Sequence, residues 1–273
     1  RIDFKIIVLL FLSRVVYIYN PTDQRRIQLV RILVDTHEVH VTSSTKPIDS
    51  CQIEPKWTSK KSNMMEKQLF ELVLLVDIEA YSLKEYTLHL STTQKSCSLV
   101  TLEYFNEKDK PLDVGPFKTE IIEKKIVKLT NRLLSVSFSK TGSILSVQHL
   151  KHEEKVSFTS DAIFYGTSAQ SDHNSGAYLF IPDGDAHEIP MGNHDLVRLQ
   201  RGSLVNRFEI LHEMYGLQYS LTNTNGPEDN VIEVGATTHL NMNRDIELAL
   251  RFKTGIQNGD EFFTDLNGFQ VFF

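Results

Sequence analysis

Two histidine pairs have a spacing that could hold zinc. His37 with His40, and His149 with His152, each stand three residues apart, which on a helix puts both imidazoles on one face. Both pairs fall in strand-like sequence, where residues i and i+3 point to opposite sides, so neither is read as a metal site. His212-Glu213 begins like a metalloprotease motif, but Gly216 stands where the second histidine belongs. It reads as an exposed strand end. There is no Gly-X-Ser-X-Gly elbow, no Gly-rich phosphate loop and no Cys-X-X-Cys pair. Sugar hydrolysis needs two carboxylates about 5 to 9.5 Å apart, and Asp183 with Asp185 is the tightest acidic pair in a loop-like stretch. Pro182-Asp183-Gly184-Asp185 also has the make-up of an ordinary turn. No catalytic residue and no metal ligand is assigned anywhere in the chain. Tyr178 stands in Ser175-Gly176-Ala177-Tyr178-Leu179-Phe180, after small residues that let a backbone or ligand approach closely. On residue types alone it is a packed tyrosine at a strand start.

The elements that would position these residues are short β segments separated by turns. Val15 to Tyr19 is β-branched and aromatic and stops at Asn20-Pro21. Ile27 to Val34, Val39 to Thr42, Gln68 to Ile78 and Tyr86 to Leu90 follow, with no 3.6-residue stripe between them. The spacing predicts a small antiparallel sandwich over residues 15 to 108. Polar sequence from Asn106 to Gly115, with Pro111 and Pro116, reads as a linker.

A second domain is expected over 116 to 273. It opens with Ile121 to Leu129, then a hairpin in which Leu134, Val136 and Phe138 share one face and Ser135, Ser137 and Ser139 the other. Lys140-Thr141-Gly142-Ser143 turns the chain, and Ile144 to Val147 returns. Further strands are expected at 162–165, 178–181, 204–211, 217–221, 231–240, 246–254 and 261–264. Asn267-Gly268 has the dipeptide of a two-residue hairpin loop. The apolar Val271-Phe272-Phe273 is an expected truncation point within a continuing sheet.

Composition narrows the partners. A formal charge of −6 with no basic block disfavours nucleic acid, and an apolar share of 41% with 23% charged residues fits a folded globular chain. The apolar run Ile6 to Leu12 is too short for a membrane span of about 20 residues, so no membrane contact is expected from this segment. Residues 1–14 are left unassigned, as a buried strand or as sequence foreign to the fold. Cys51 and Cys97 allow one intrachain pairing, and residue types alone leave open whether it forms. There is no permitted Asn-X-Ser/Thr sequon.

Ser175-Gly176-Ala177-Tyr178-Leu179-Phe180-Ile181-Pro182-Asp183-Gly184 resembles the Ser-Gly-Ala-Tyr-Leu-Phe-X-Pro-Asp/Asn-Gly motif of Golgi-type α-mannosidases of glycoside hydrolase family 38. Asn131 to Phe138 with Gly142 resembles the start of that family's large C-terminal β domain. Ile246 to Phe252 is similar to a later strand, and Phe263-Thr264-Asp265-Leu266-Asn267-Gly268 to its Tyr/Phe-Thr-Asp-Leu-Asn-Gly block. Upstream, Tyr19-Asn20-Pro21-Thr22-Asp23-Gln24 resembles the Tyr/Phe-Asn-Pro-X-X-Gln motif of the preceding small β domain. The likeness runs over roughly residues 15 to 270.

The resemblance implies an all-β fold: a small immunoglobulin-like sandwich followed by part of a larger galactose-mutarotase-like supersandwich. It implies a retaining hydrolase of terminal α-mannose on N-glycans, zinc-dependent when whole. Leu266 and the Pro182-Asp183-Gly184 run point to a Golgi lumenal rather than a lysosomal member. The family's His-X-Asp metal pair lies upstream in an α/β domain, and none of the ten histidines here has Asp two residues later. The expected partners are therefore a mannose-bearing N-glycan and that N-terminal catalytic domain, with zinc in the full-length enzyme and none bound by this segment, which alone is expected to be inactive. The tyrosine of the family motif contacts mannose at the zinc site, which makes Tyr178 a substrate-binding residue by resemblance. The alternative is a free-standing carbohydrate-binding or adhesion module built on the same sandwiches.

Overall fold

The computed structural model describes residues 7–9, 13–43, 46–47, 50–58, 63–90, 97–152, 154–167, 179–189, 195–238, 246–257, 259, 264–265 and 271–272. Over these residues the regular structure is β-strand apart from two short 3-10 turns, Glu107–Asp109 and Pro227–Asn230. The all-β class expected from the sequence is the class observed.

The first half builds two facing sheets. One has five strands in the order Ile7–Val8, Arg26–Val34, Met65–Ile78, Cys51–Trp57, Ser98–Leu99. The other has four, Ser13–Tyr19, Leu83–Leu90, Val39–Ser43, Lys46–Pro47. Alternation dictates which side chains meet: Phe70, Leu72, Leu74, Val76 and Ile78 from one sheet share a core with Val39, Val41, Tyr86 and Leu88 from the other, the two-layer solution of a β-sandwich. A disulfide joins Cys51 to Cys97 with Cα atoms 5.0 Å apart. It closes the strand Cys51–Trp57 onto the segment that leaves the sandwich.

The second half holds three larger sheets and the two-stranded pair Thr264–Asp265 with Val271–Phe272. A six-stranded sheet runs Lys118–Ile121, Thr101–Tyr104, Leu196–Arg201, Val205–Leu211, Tyr215–Thr222, Glu233–Thr238. A four-stranded one runs Ile126–Thr130, Leu134–Ser139, Ile144–His149, Lys155–Val156, and a three-stranded one His187–Glu188, Phe158–Gly166, Ile246–Thr254. Their inward faces meet around Phe138, whose ring stacks on Phe208 at 4.1 Å and tilts against Tyr219 at 5.4 Å. The Leu134 to Val147 hairpin forms as its alternation predicts, turning through Gly142 at a φ of 95°, which is open to glycine at no steric cost.

Several expectations change in detail. The run 121–129 divides into Lys118–Ile121 and Ile126–Thr130, which belong to different sheets. The expected strand at 178–181 is not seen over its described residues 179–181. The Asn267-Gly268 turn lies outside the described residues, although Thr264–Asp265 and Val271–Phe272 pair antiparallel on either side of it.

Thr101–Tyr104 connects the halves. Its Leu102 and Tyr104 are buried in the first core, while its ladder runs to Leu196–Arg201, whose Val197 and Leu199 lie in the second. The strand Met65–Ile78 does the same through its outer face, where Val73 is buried against Leu204 and Val205.

Candidate functional site

The described part of the tyrosine motif, from Leu179 onward, is anchored to the three-stranded sheet. Tyr178, with Ser175, Gly176 and Ala177, lies outside the described residues; the motif is described from Leu179 onward. Leu179 and Phe180 are exposed, at 51% and 57%, and the Phe180 ring meets Tyr165 edge-on at 5.0 Å. Pro182 bridges Thr167, and the Asp183 N–H donates to the Gly166 carbonyl at 3.0 Å. Gly166 permits this closeness, since a Cβ there would stand 2.3 Å from the Asp183 carboxylate. The motif therefore hangs from the end of the strand Phe158–Gly166. Further along the same sheet Arg251 spans two strands, donating to Glu188 at 2.7 Å and Asp161 at 3.2 Å. The hydrogen bond from Arg251, then its charge, holds the Glu188 carboxyl below the usual range.

Asp183 and Asp185 are exposed in a bend, as the turn reading expects. Of the histidine pairs, His37 packs on Phe70 at 5.5 Å, and His40, in a strand, faces His89 at 6.1 Å. His149 and His152 correct the expectation of opposite sides. Their rings lie 4.5 Å apart, because residues 150–152 turn instead of continuing the strand. His212 also differs from the exposed strand end expected of it: its side chain is 12% exposed, it stacks on Tyr215 at 4.7 Å and its Nδ1 accepts from the Met214 N–H at 3.1 Å. Among the described residues no three His, Cys, Asp or Glu side chains gather where they could hold a metal ion. The described donors do not fit a zinc centre.

The most heavily bonded polar group lies between the two cores, and residue types did not single it out. Glu54 is 1% exposed and sits between Arg31, 2.9 Å away, and Arg207, with Gln52 Nε2 donating to it at 2.8 Å. Gln52 Oε1 accepts from the N–H groups of Leu204 at 2.8 Å and Val205 at 3.1 Å. Burial alone would push the Glu54 carboxyl up, but the Arg207 and Arg31 charges outweigh it and hold the group down at about 2. Beside it Arg198, 1% exposed, lies 3.6 Å over the Trp57 ring and pairs with Glu209 at 2.7 Å. These groups are bonded chiefly to one another, which suits joining two layers and not proton transfer. The signal available in the sequence was Gln52 and Glu54 alternating with Cys51 and Ile53 inside an apolar context.

The sequence profile of the glycosyl hydrolases family 38 C-terminal domain matches residues 129–273. The chain belongs to this family. Alpha-mannosidase 2 of Homo sapiens is 29% identical over 265 residues, covering 94% of this chain and 22% of that protein. Alpha-mannosidase 2 of Arabidopsis thaliana is 27% identical over 272 residues, covering 95% and 22%. A solved family 38 protein from Enterococcus faecalis superposes with a TM-score of 0.44 at 9% identity, over 86% of this chain and 32% of that one. The chain thus spans about a fifth of the length of the curated relatives it matches. The family match begins at Leu129, at the head of the hairpin that the sequence marked as the start of a large β domain.

Proposed function

We propose that this chain is the β-rich portion of an α-mannosidase that removes terminal α-mannose from N-glycans, with Tyr178 touching the sugar. The observation that carries this reading is the alignment of 94% of the chain with Alpha-mannosidase 2, together with the ordered family motifs around Tyr178. Residues 15–108 and 116–273 are its two β domains, each supported by its own buried core. The zinc ion and the nucleophile come from an N-terminal α/β domain, a reading supported by the chain's alignment with 22% of the length of Alpha-mannosidase 2. A Golgi lumenal location is supported by the Cys51–Cys97 disulfide, since such bonds persist in oxidising compartments. No described helix is long and apolar enough to cross a membrane.

Tyr178→Phe in the full-length enzyme tests the reading. It removes one hydroxyl and keeps the ring, so the melting temperature should stay. A hydrogen bond to a charged partner is worth about 1.5 to 3 kcal/mol, so kcat/KM on an α-mannoside should fall about 10- to 150-fold. Wild-type kinetics with a lowered melting temperature would make Tyr178 a core residue only. The 273-residue chain alone is expected to hold no zinc and to leave a chromogenic α-mannoside uncut. Metal analysis finding one tightly held zinc per chain would overturn that.

A further inference from the structure

The outer face of the four-stranded sheet carries a trough of about 410 Å³ that the proposed activity does not use. Strand register explains its floor. Lys128 lies opposite Ser137, and Ser137 opposite Ser146, making one row across three strands. Gln148 lies opposite Lys155 in the next row, and Ser157 completes the lining. The partners of these residues on the reverse face, Val127, Leu129, Val136 and Phe138, fill the second core, so alternation forces the polar set outward.

Three properties make this a site and not an ordinary solvated face. First, none of these six polar side chains has a hydrogen bond or ion pair among the described residues, and Ser146 is only 6% exposed. Its hydroxyl is nonetheless not among the buried atoms left without a partner, so it opens to the trough and can meet a ligand there. Second, two ammonium groups line the trough with no Asp or Glu among the lining residues, on a chain whose net charge is −6. Third, Lys128 and Lys155 stand on the two outer strands, about 14 Å apart at three strand spacings, and their flexible stems can reach inward to one group held between them. Ile126 and Leu145, exposed at 51% and 41%, form apolar lips on the same trough.

We propose that this trough binds a sugar carrying a phosphate or sulfate ester. The two lysines take the oxyanion through charge-assisted hydrogen bonds. The serine hydroxyls and the Gln148 carboxamide, which can each donate and accept, match the hydroxyls of a sugar ring. Ile126 and Leu145 cover its C–H edge. The inference goes beyond the hydrolytic reading and stands or falls independently of it.

The test is calorimetric titration of the full-length protein with mannose 6-phosphate, mannose and inorganic phosphate, each with wild type, Lys128→Ala, Lys155→Ala and Lys253→Ala. Saturable binding of mannose 6-phosphate is expected, weakened about tenfold by removing either trough lysine, weakened by added salt, and unaffected at Lys253, an exposed lysine outside the trough. Both trough lysines are exposed and unpaired, so melting temperatures should hold. Inorganic phosphate binding as tightly as the sugar phosphate would assign the oxyanion to a free source and still support the trough as its site. Absence of saturable binding at millimolar ligand, or binding indifferent to both lysines, would overturn the proposal.

Discussion

Two regions of this molecule set arginine against carboxylate, and burial makes them different objects. At the junction of the two cores, Glu54 is 1% exposed and Arg207 8%, with Arg31 closing the group. On the three-stranded sheet, five residues along from the Gly166 anchor of the motif, Arg251 is 28% exposed and its partners Asp161 and Glu188 are 37% and 75%. In the first region water cannot substitute for a lost partner. In the second it can. The contrast separates a part of the fold that has to stay fixed from a part that is free to meet something else. Leu179 and Phe180 remain exposed at the Gly166 end of the sheet that carries the second region, whereas Val73, Leu204 and Val205 are closed beside the first.

The largest expected effect therefore lies at Glu54. Glu54→Gln leaves the Arg207 guanidinium buried without a counter-charge, while Arg31 keeps the Glu71 carboxylate 2.6 Å away, and breaking a buried pair from one side costs about 3 to 5 kcal/mol. Chemical denaturation of wild type and variant measures it. The same group gives a pH signature. Its folded pKa, about 2, lies below the ordinary 4.5, so its contribution is present above the unfolded pKa and disappears as pH falls from about 4.5 towards 2. Wild-type stability should decline through that window, and Glu54→Gln should flatten the decline. An unchanged acid profile would remove Glu54 from its place in the comparison.

Two glycines sharpen the contrast at the next level down. A Cβ on Gly202 would stand 2.1 Å from Gln52 Oε1, an atom pinned by the Leu204 and Val205 N–H groups. A Cβ on Gly166 would meet the Asp183 carboxylate as closely, but Asp183 is exposed and can swing away. Gly202→Ala should cost about 1 to 3 kcal/mol, the usual scale of overpacking, and Gly166→Ala less than about 0.5 kcal/mol. Equal losses in denaturant titrations would mean that the two sites are equally rigid.

The same division explains what the sequence made legible. Strands with one wet face, such as Leu134–Ser139 and Ile246–Thr254, could be placed because their alternation or β-branched content is local information. Cys51–Trp57 is not among the expected strands, and its Pro55 would weaken a central-strand reading. The ladder accommodates it: the neighbouring strand Ser98–Leu99 pairs only with Gln52 and Ile53, and the register shifts between Pro55 and Trp57. Leu196–Arg201 was missed for a different reason. Its Arg198 and Gln200 are buried at 1% each, and what makes a buried arginine tolerable, the Glu209 carboxylate and the Trp57 ring, lies on other strands. At the site, the family motif singled out Tyr178 through resemblance. The junction, which depends on residues more than 150 positions apart, had no local sign beyond two polar residues in an apolar strand.

The smallest expected effect is at Arg251. Its pair with Asp161 joins strands Phe158–Gly166 and Ile246–Thr254, already joined along a nine-residue ladder, and its pair with Glu188 reaches the strand His187–Glu188, which itself pairs with Phe158–Gly166. Backbone pairing therefore holds the geometry whether or not the arginine is present. Exposed ion pairs contribute about 0 to 1 kcal/mol because each partner is solvated when released and the side chains regain freedom. Arg251→Ala should lose no more than that, and raising the salt to about 1 M, where the Debye length falls to about 3 Å, should remove most of the difference between variant and wild type. Paired denaturation curves at low and high salt read both quantities. A loss of more than about 2 kcal/mol that persists in high salt would mean that Arg251 is closed off from water in the folded protein, and the line drawn between the two regions would have to be moved.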